Sequence, residues 1–182
     1  MFVFDRQGVV TMKGFIEVYT GNGKGKTTAA LGLAVRAAGA GLRVFIAQFM
    51  KGREYSEINA LERYADVITV KQYGRRGFIE GEPDDEDIRC AVEGLRDVRD
   101  IVVSGVYDLV ILDEANVAVH FRLFTADDLI DVMEAKPDSV ELVITGRHAD
   151  PRIIKKADLV TDMVEVKHYY SHGVKARRGI EL

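Results

Sequence analysis

The feature that most constrains the fold is a glycine-rich stretch, TGNGKGKTT, at residues 20–28. Residues 15–19 before it alternate apolar and polar side chains as a β-strand does, and residues 29–38 after it are rich in helix formers. A strand, a glycine loop and a helix in this order turn backbone N–H groups toward one anion. We therefore interpret the stretch as the phosphate loop of a nucleotide triphosphate site. The alternative is a solvated glycine turn with a capping threonine.

Two side chains of the phosphate loop have distinct expected roles. The ammonium of Lys26 is expected to reach the outer phosphates, and the hydroxyl of Thr27 to complete the coordination of a Mg²⁺ that bridges phosphate oxygens. The usual spacing of such loops places glycine where this chain has Thr20. The loop therefore differs from that of ordinary hydrolases and kinases, and by itself it leaves the substrate open.

Composition and charge indicate one globular domain. The 182 residues are 47% hydrophobic and 30% charged, which is enough apolar content for a core. The formal net charge of −4 argues against nucleic acid or an anionic membrane as the main partner. Cys90 is the only cysteine, so that no intrachain disulfide can form. Neither an apolar run of about 18 residues nor a secretory signal is present, and a cytoplasmic location is expected.

Strand and helix patterns alternate along the rest of the chain. Strands are predicted at residues 43–49, 67–70, 107–112, 140–145 and 159–166. Helices are predicted at residues 26–38, 54–64 and 83–104, at 125–135, and from residue 150. The expected fold is a single α/β domain of the P-loop NTPase (RecA-like) type, with a mostly parallel sheet flanked by helices. Residues 1–12 are interpreted as an arm ahead of this domain at 13–182.

Polar side chains follow two of the predicted strands. Asp113 and Glu114 close a continuous apolar run, which is typical of a strand buried on both faces of a sheet. Its carboxyl end lies at the edge where open α/β sheets bind ligands, so these carboxylates can hold Mg²⁺ beside the phosphate loop. The alternative is that they cap the next helix. Arg147 lies at the same edge and is a candidate triphosphate contact, with an ordinary surface charge as the alternative.

Two segments have no regular pattern. Residues 71–83 contain three glycines and several charges around Phe78 and Ile79. Loops of this length in compact domains are either functional or disordered, and both interpretations stay open. Residues 167–179 are basic and aromatic, and we expect this tail to bind anions or to cover the site.

Five stretches, specific in combination, carry a family resemblance. They are TGNGKGKTT at 20–28, VFIAQFMKG at 44–52, VILDE at 110–114, ITGR at 144–147 and VKARRGI at 174–180. Together they resemble the ATP:corrinoid adenosyltransferases of the P-loop type, from about residue 14 to the C-terminus. The unusual phosphate loop is similar to that family's own form.

The resemblance implies an activity and its partners. Family members transfer the 5′-deoxyadenosyl group of ATP to the cobalt(I) of a reduced corrinoid and release triphosphate, in adenosylcobalamin biosynthesis or salvage. The resemblance implies a reversed nucleotide pose, in which the loop holds the γ-phosphate. It also implies Mg²⁺, a homodimer and a flavodoxin-like reductant. Two rival hypotheses share the same loop: a small-molecule kinase and a non-catalytic, ATP-dependent binding module.

The resemblance also implies roles for single residues. Lys26 and Arg147 are the catalytic candidates, and Thr27 and Glu114 are the candidate Mg²⁺ ligands. Asp113 is implied to contact these ligands rather than the ion itself. The residues implied to bind ATP are Asn22, Gly23, Lys24, Gly25, Lys26, Thr27, Thr28, Arg36 and Arg147.

On the corrinoid side, Phe78 is the candidate contact. Enteric members of the family carry Gly-Phe-Thr-Trp where this chain has GFIE at 77–80, so that Glu80 replaces a tryptophan. These aromatic residues are implied to displace the lower axial ligand of cobalt, which makes the metal easier to reduce.

Overall fold

The computed structural model describes residues 2–4, 10–52, 56–75 and 82–181. Within them, β1 (Phe2–Phe4) pairs antiparallel with β2 (Val10–Met12). The main sheet contains β3 (Ile16–Thr20), β4 (Val44–Phe49), β5 (Ile68–Tyr73), β6 (Leu109–Asp113), β7 (Glu141–Thr145) and β8 (Leu159–Asp162). All its pairings are parallel, in the spatial order β5-β4-β6-β7-β3-β8.

Helices cover both faces of the main sheet. They are α1 (Lys26–Gly39), α2 (Ser56–Leu61), α3 (Asp85–Ser104), α4 (Ala115–His120), α5 (Ala126–Ala135) and α6 (Pro151–Lys156). Short 3-10 turns occur at Glu62–Tyr64 and Tyr169–His172. One hydrophobic cluster joins the sheet to α3, α5 and α6, and a second joins it to α1 and α2. The predicted α/β fold, a parallel sheet flanked by helices in one domain, is confirmed.

The buried strands explain the continuous apolar runs of the sequence. Every residue of β4 and of β6 is buried, because both strands lie inside the sheet and successive side chains point to opposite covered faces. At the edge of the sheet, all four residues of β8 are exposed.

The strand order positions the site. The strand before the phosphate loop, β3, is separated from β6 by β7 alone. At a spacing of about 4.8 Å per strand, the loop and the carboxyl end of β6 are roughly 10 Å apart. Side chains of ordinary length span that gap, and this arrangement is consistent with a P-loop NTPase fold.

Predicted helix starts match local capping chemistry. The side chain of Asp84 accepts hydrogen bonds from the N–H groups of Glu86 and Asp87, and Thr125 forms a capping box with Asp128. Asp150 accepts from the N–H of Arg152, one residue after Pro151. Asp84 is therefore the N-cap of α3, and Asp87 completes its capping box.

Several predicted boundaries are wrong. The last strand ends at Asp162 rather than at residue 166, whereas β5 continues to Tyr73 instead of ending at residue 70. Helix α4 was not predicted at all. It has six residues, too few for a 3.6-residue apolar period to be recognised. The strands β1 and β2 were also missed, and the division of the chain at residue 12 stays a prediction. Within the described ranges, no helix combines the length and the apolar character that crossing a membrane requires.

Candidate functional site

The phosphate loop has the backbone shape of an anion site. Gly21 and Gly25 have φ angles of 93° and 126°, in the region that glycine adopts without a steric penalty. Helix α1 then begins at Lys26, with Gly25 as an N-cap that offers no side-chain hydrogen bond. The first N–H groups of a helix have no intrahelical partner and lie at the positive end of its dipole. The start of α1 therefore has N–H donors that suit an anion.

Lys26 lies inside the loop. Its ammonium donates to the carbonyl oxygens of Gly21 at 2.6 Å and Gly23 at 2.7 Å, and the residue is 7% exposed. Burial, followed by the charge of Arg147, lowers the pKa of Lys26. The two carbonyls hold the ammonium at the centre of the loop.

Asp113 fastens the start of α1 to the sheet. Its Oδ1 accepts from the hydroxyl of Thr27 at 2.8 Å and from the hydroxyl of Thr145 at 2.7 Å. Asp113 is 1% exposed. A carboxylate that deep in the protein requires partners. Asp113 therefore serves as a buried anchor that orients the hydroxyl of Thr27.

The other oxygen of Asp113 meets a cation that sequence reasoning missed. The ammonium of Lys51 lies 2.8 Å from Oδ2 of Asp113, and Gln48 donates to the same oxygen at 3.4 Å. Burial lowers the pKa of Lys51, but the charge and hydrogen bond of Asp113 outweigh it and the net shift is upward. Lys51 follows β4, the neighbour of β6. Lys51 comes directly after a buried strand, within the VFIAQFMKG stretch, and this position could have indicated that it belongs to the site.

Glu114 is the second carboxylate of the site. Its backbone has a φ of 62°, its N–H donates to the Thr145 hydroxyl at 3.0 Å, and it is the N-cap residue of α4. Burial, followed by the charge of Asp113, raises the pKa of Glu114. A carboxylate whose charge is disfavoured by burial and by a second anion gains from a bound cation. Thr145, which contacts both acids, was also missed by sequence reasoning.

Arg147 and His148 follow β7 at the same edge of the sheet. Gly146 lies between β7 and Arg147 and has a φ of 134°. A Cβ added at this position would lie 2.9 Å from the backbone nitrogen of Val117, so only glycine fits here. Arg147 is exposed, and its charge opposes the pKa increase of Glu114. The ring of His148 stacks on His120 with centroids 4.2 Å apart. The charge of Arg147 therefore acts on the carboxylate of Glu114, beside the phosphate loop.

An open cleft of about 410 Å³ borders the start of the phosphate loop. Its walls come from the loop, from the residues after β7 and from those after β8. The lining residues are Thr20, Gly21, Asn22, His148, Ala149, Asp162, Val164 and Glu165. The loop is thus accessible from the side of β8.

Not all predicted site residues come together. Arg36 lies ten positions after Lys26 in α1, about 15 Å along the axis at 1.5 Å per residue. The side chain of Lys24 contacts Tyr169 and Glu181. Phe78 and Glu80 lie outside the described residues. Groups of three or more His, Cys, Asp or Glu suited to a metal are absent from the part of the chain that the structure describes.

Comparison with known proteins agrees with this geometry. The sequence model of the family "ATP:corrinoid adenosyltransferase BtuR/CobO/CobP" matches residues 12–182. The chain belongs to this family. The phosphate loop, the Asp113–Glu114 pair and Arg147 thus lie within the matched region of an ATP:corrinoid adenosyltransferase family member.

Relatives support the assignment over nearly the whole chain. The chain is 33% identical to the corrinoid adenosyltransferase of Pseudomonas aeruginosa over 171 residues, which are 93% of this chain and 84% of that protein. It is 35% identical to the corrinoid adenosyltransferase CobA of Salmonella typhimurium over 170 residues, 93% of this chain and 86% of that protein. The identity to the Escherichia coli K12 corrinoid adenosyltransferase is 34%. The relatives are transferases, as the sequence predicted for this chain.

Proposed function

We propose that this protein transfers the 5′-deoxyadenosyl group of ATP to the cobalt(I) of a reduced corrinoid and releases inorganic triphosphate, in adenosylcobalamin biosynthesis or salvage. One observation supports the phosphate side of this proposal above all. The hydroxyl of Thr27, at the start of the helix after the phosphate loop, is tied to Asp113 at 2.8 Å, with the second carboxylate of Glu114 beside it. Family membership supports the choice of adenosyl transfer over other nucleotide chemistry.

The triphosphate is bound by the loop and its cations. The N–H groups of residues 22–28 offer hydrogen bonds, apart from that of Gly23, which donates to the carbonyl of Met163. Lys26 and Arg147 offer charge. Lys26 is the catalytic candidate because its ammonium is held inside the loop by two carbonyls. A phosphate oxygen attracts such an ammonium more strongly than a neutral carbonyl does, because the hydrogen bond then joins two charges. Arg36, about 15 Å along α1 from Lys26, is proposed as a further contact for a nucleotide that extends along this helix.

A magnesium ion fits the residues that are present. Thr27 and Glu114 would hold it, with Asp113 orienting the Thr27 hydroxyl. The hydroxyl donates a hydrogen bond to Asp113 and keeps its lone pairs for a cation. Burial and the neighbouring Asp113 raise the pKa of Glu114, and a bound cation would stabilise its charged form. Magnesium bound there would neutralise charge on the phosphate oxygens.

The chemistry requires little from the protein itself. Cobalt(I) of the corrinoid supplies an electron pair to C5′ of ATP, the cobalt–carbon bond forms, and the C5′–O bond breaks with its electrons leaving on triphosphate. The protein supplies the orientation of ATP and the charge that stabilises the leaving group. A reversed pose, in which the loop holds the γ-phosphate, leaves C5′ open to the corrinoid. The substrate carries the nucleophile, so the site needs no activated side chain.

The proposed contact with the corrinoid is based on the sequence. Phe78 is proposed to contact the corrinoid and to displace its lower axial ligand. A homodimer, a flavodoxin-like reductant and a cytoplasmic location complete the proposal. Sedimentation of the purified protein at two concentrations tests the homodimer: a single species of 20.3 kDa, the mass of one chain, would contradict it.

The decisive experiment incubates the protein with ATP, Mg²⁺ and a chemically reduced corrinoid in the dark. We expect inorganic triphosphate and a light-sensitive adenosylated corrinoid in equal amounts. ADP as the product would favour a small-molecule kinase instead. ATP binding without any corrinoid-dependent product would favour a non-catalytic binding module.

A further inference from the structure

The residues that follow β8 pass along the outside of the phosphate loop. We call residues 163–181 the C-terminal segment. At the start of the loop, the N–H of Gly23 donates to the carbonyl of Met163 at 2.6 Å. An added Cβ on Gly21 would lie 2.2 Å from Oδ1 of Asp162, and one on Gly23 would lie 2.6 Å from the carbonyl of Met163. The first part of this segment therefore packs directly against the backbone of the loop.

The far end of the C-terminal segment returns to the same loop. The ammonium of Lys24 donates to Oε1 of Glu181 at 2.7 Å, to the carbonyl of Ile180 at 3.0 Å and to the hydroxyl of Tyr169 at 3.1 Å. An ammonium has three N–H donors, and here three acceptors of one segment take them. The side chain of Lys24 is thus bound to the segment rather than directed toward a phosphate.

Glu181 is the centre of this cluster. Besides Lys24, it accepts from the backbone N–H of Arg177 at 2.8 Å, from the Arg177 guanidinium at 3.1 Å and from the Tyr169 hydroxyl. The cations of Lys24 and Arg177 lie over the Tyr169 ring, 5.8 and 5.0 Å from its centroid. The hydrogen bonds from Arg177, Lys24 and Tyr169 hold the pKa of Glu181 far below its usual range. The carboxylate is therefore charged at every pH at which the protein would be assayed.

We propose that Glu181 is a positioning residue of the phosphate loop, which acts through Lys24 to hold the loop in the shape that binds triphosphate. The inference rests on the proposed nucleotide site. A loop with three glycines loses much conformational freedom when it closes around a phosphate chain. Contacts that restrict the loop beforehand remove part of that cost and strengthen binding. The C-terminal segment supplies such contacts at two consecutive residues in the middle of the loop, through the backbone of Gly23 and the side chain of Lys24.

Positioning and simple electrostatics predict opposite results for the same variant. Glu181→Gln removes one negative charge near the loop and leaves Lys24 and Arg177 in place. Electrostatics alone would then strengthen the binding of the triphosphate anion. Loss of positioning would weaken it. The direction of the change in Kd therefore separates the two explanations.

The test measures binding of ATP with Mg²⁺ to the full chain by calorimetry, without corrinoid. For Glu181→Gln we expect the Kd to rise about tenfold, the effect of losing one charged hydrogen bond. Lys24→Met should give a similar rise. The double variant should be no weaker than either single variant, because both changes remove the same contact. Glu181→Asp, which keeps the charge on a shorter side chain, should restore part of the affinity.

Controls separate this role from general damage. Glu93→Gln removes one charge from an exposed position of α3 and should leave the Kd unchanged. In the full assay, Glu181→Gln should raise the KM for ATP while kcat and the KM for corrinoid stay constant. An unchanged or lower Kd in folded Glu181→Gln would overturn the inference, as would additive losses in the double variant. Failure of wild-type protein to form adenosylated corrinoid would instead overturn the proposed function.

Discussion

The hydroxyl of Thr27 donates to Oδ1 of Asp113 across 2.8 Å, which joins the first turn of α1 to the end of β6. The two residues are 86 positions apart in the sequence and lie on a helix and on a strand of the sheet that it covers. The same Asp113 oxygen also accepts from Thr145, on β7 itself. Three elements of the site are thus held by one carboxylate oxygen, and the position of Thr27 is fixed before any ligand binds.

The two acids at the end of β6 should respond differently to substitution. Glu114→Gln should raise the Mg²⁺ concentration needed for half-maximal activity, because it removes anionic charge from a proposed ligand of a hard cation. Asp113→Asn should mainly lower stability, since it leaves the Lys51 ammonium near a neutral amide in a buried site. Magnesium titrations and urea denaturation of both variants check this. The assignment would be exchanged if only Asp113→Asn raised the Mg²⁺ requirement.

Lys26→Ala should abolish most activity in a folded protein. Loss of a charged group that faces the leaving triphosphate is expected to lower kcat/KM at least about 100-fold. The two hydrogen bonds to Gly21 and Gly23 are also lost, so a decrease of about 1 kcal/mol in the free energy of unfolding should accompany it. Steady-state kinetics and denaturation measure both. Lys155→Ala, on the exposed side of α6, serves as the control, and near-normal turnover in Lys26→Ala would refute the assignment of the loop.

Phe78→Ala tests the corrinoid contact that the sequence predicts. A ring that packs against a flat macrocycle gains about 25 cal/mol per Å² of buried apolar surface. We expect a higher KM for corrinoid and an unchanged Kd for ATP. The defect should be larger when the reaction starts from cobalt(II) than from cobalt(I), because the ring would also exclude water from the lower cobalt face. A loss confined to ATP affinity would instead place Phe78 over the nucleotide.

Glu141 should make stability depend on pH. Burial, together with Glu17, raises the pKa of Glu141 from 4.5 to about 7, against the hydrogen bond from the Phe15 N–H. The folded protein therefore binds more protons than the unfolded chain between pH 4.5 and 7, and this contribution to stability is lost as the pH rises through 7. Glu141→Gln should match wild type at pH 5 and exceed it by about 1 to 2 kcal/mol at pH 8.

Urea denaturation at the two pH values measures that difference for Glu141. The partial exposure of the side chain is the reason for an expected gain smaller than the full pKa shift would give. An equal change in stability at both pH values would show that the carboxyl is not protonated in the folded protein.

Two helical glycines should respond oppositely to alanine. At Gly94 in α3, an added Cβ would lie 2.5 Å from Cγ of Tyr73, whose ring also stacks on Phe49 at 5.6 Å. Gly94→Ala should therefore lower the free energy of unfolding by about 1 to 3 kcal/mol. At Gly32 in α1, an added Cβ would meet no atom within 4 Å. Gly32→Ala should therefore raise the free energy of unfolding by about 0.5 to 1 kcal/mol. Thermal denaturation of the pair checks both signs, and destabilisation by Gly32→Ala would mean that α1 contacts something at this face.

Much of the fold could be predicted because its signals are local. The glycine loop between a strand and a helix, and the apolar run closed by Asp113, depend only on neighbouring residues. The strand, the glycine loop and the helix were therefore predicted in the order in which the structure has them. The N-cap contacts of Asp84 are equally local, since its donors are two and three positions away.

The missed features depend on distant residues. Lys51 meets Asp113 only because β4 and β6 are neighbours in the sheet, although 62 positions separate the two residues. Thr145 joins Asp113 and Glu114 because β7 lies next to β6. The assignment of Arg36 to ATP rests on the resemblance alone and stays a prediction, although its helix was predicted correctly.

The position of β3 has a consequence for how the protein is made. This strand lies early in the chain, yet both of its neighbours in the sheet, β7 and β8, lie after residue 140. During synthesis the phosphate loop therefore emerges long before the strands that will support it. Parallel pairing of such distant segments is slow, because a long loop must close before any contact forms. We expect a chain stalled on the ribosome before β7 to be unable to bind nucleotide, so that ATP binding would report completion of the sheet.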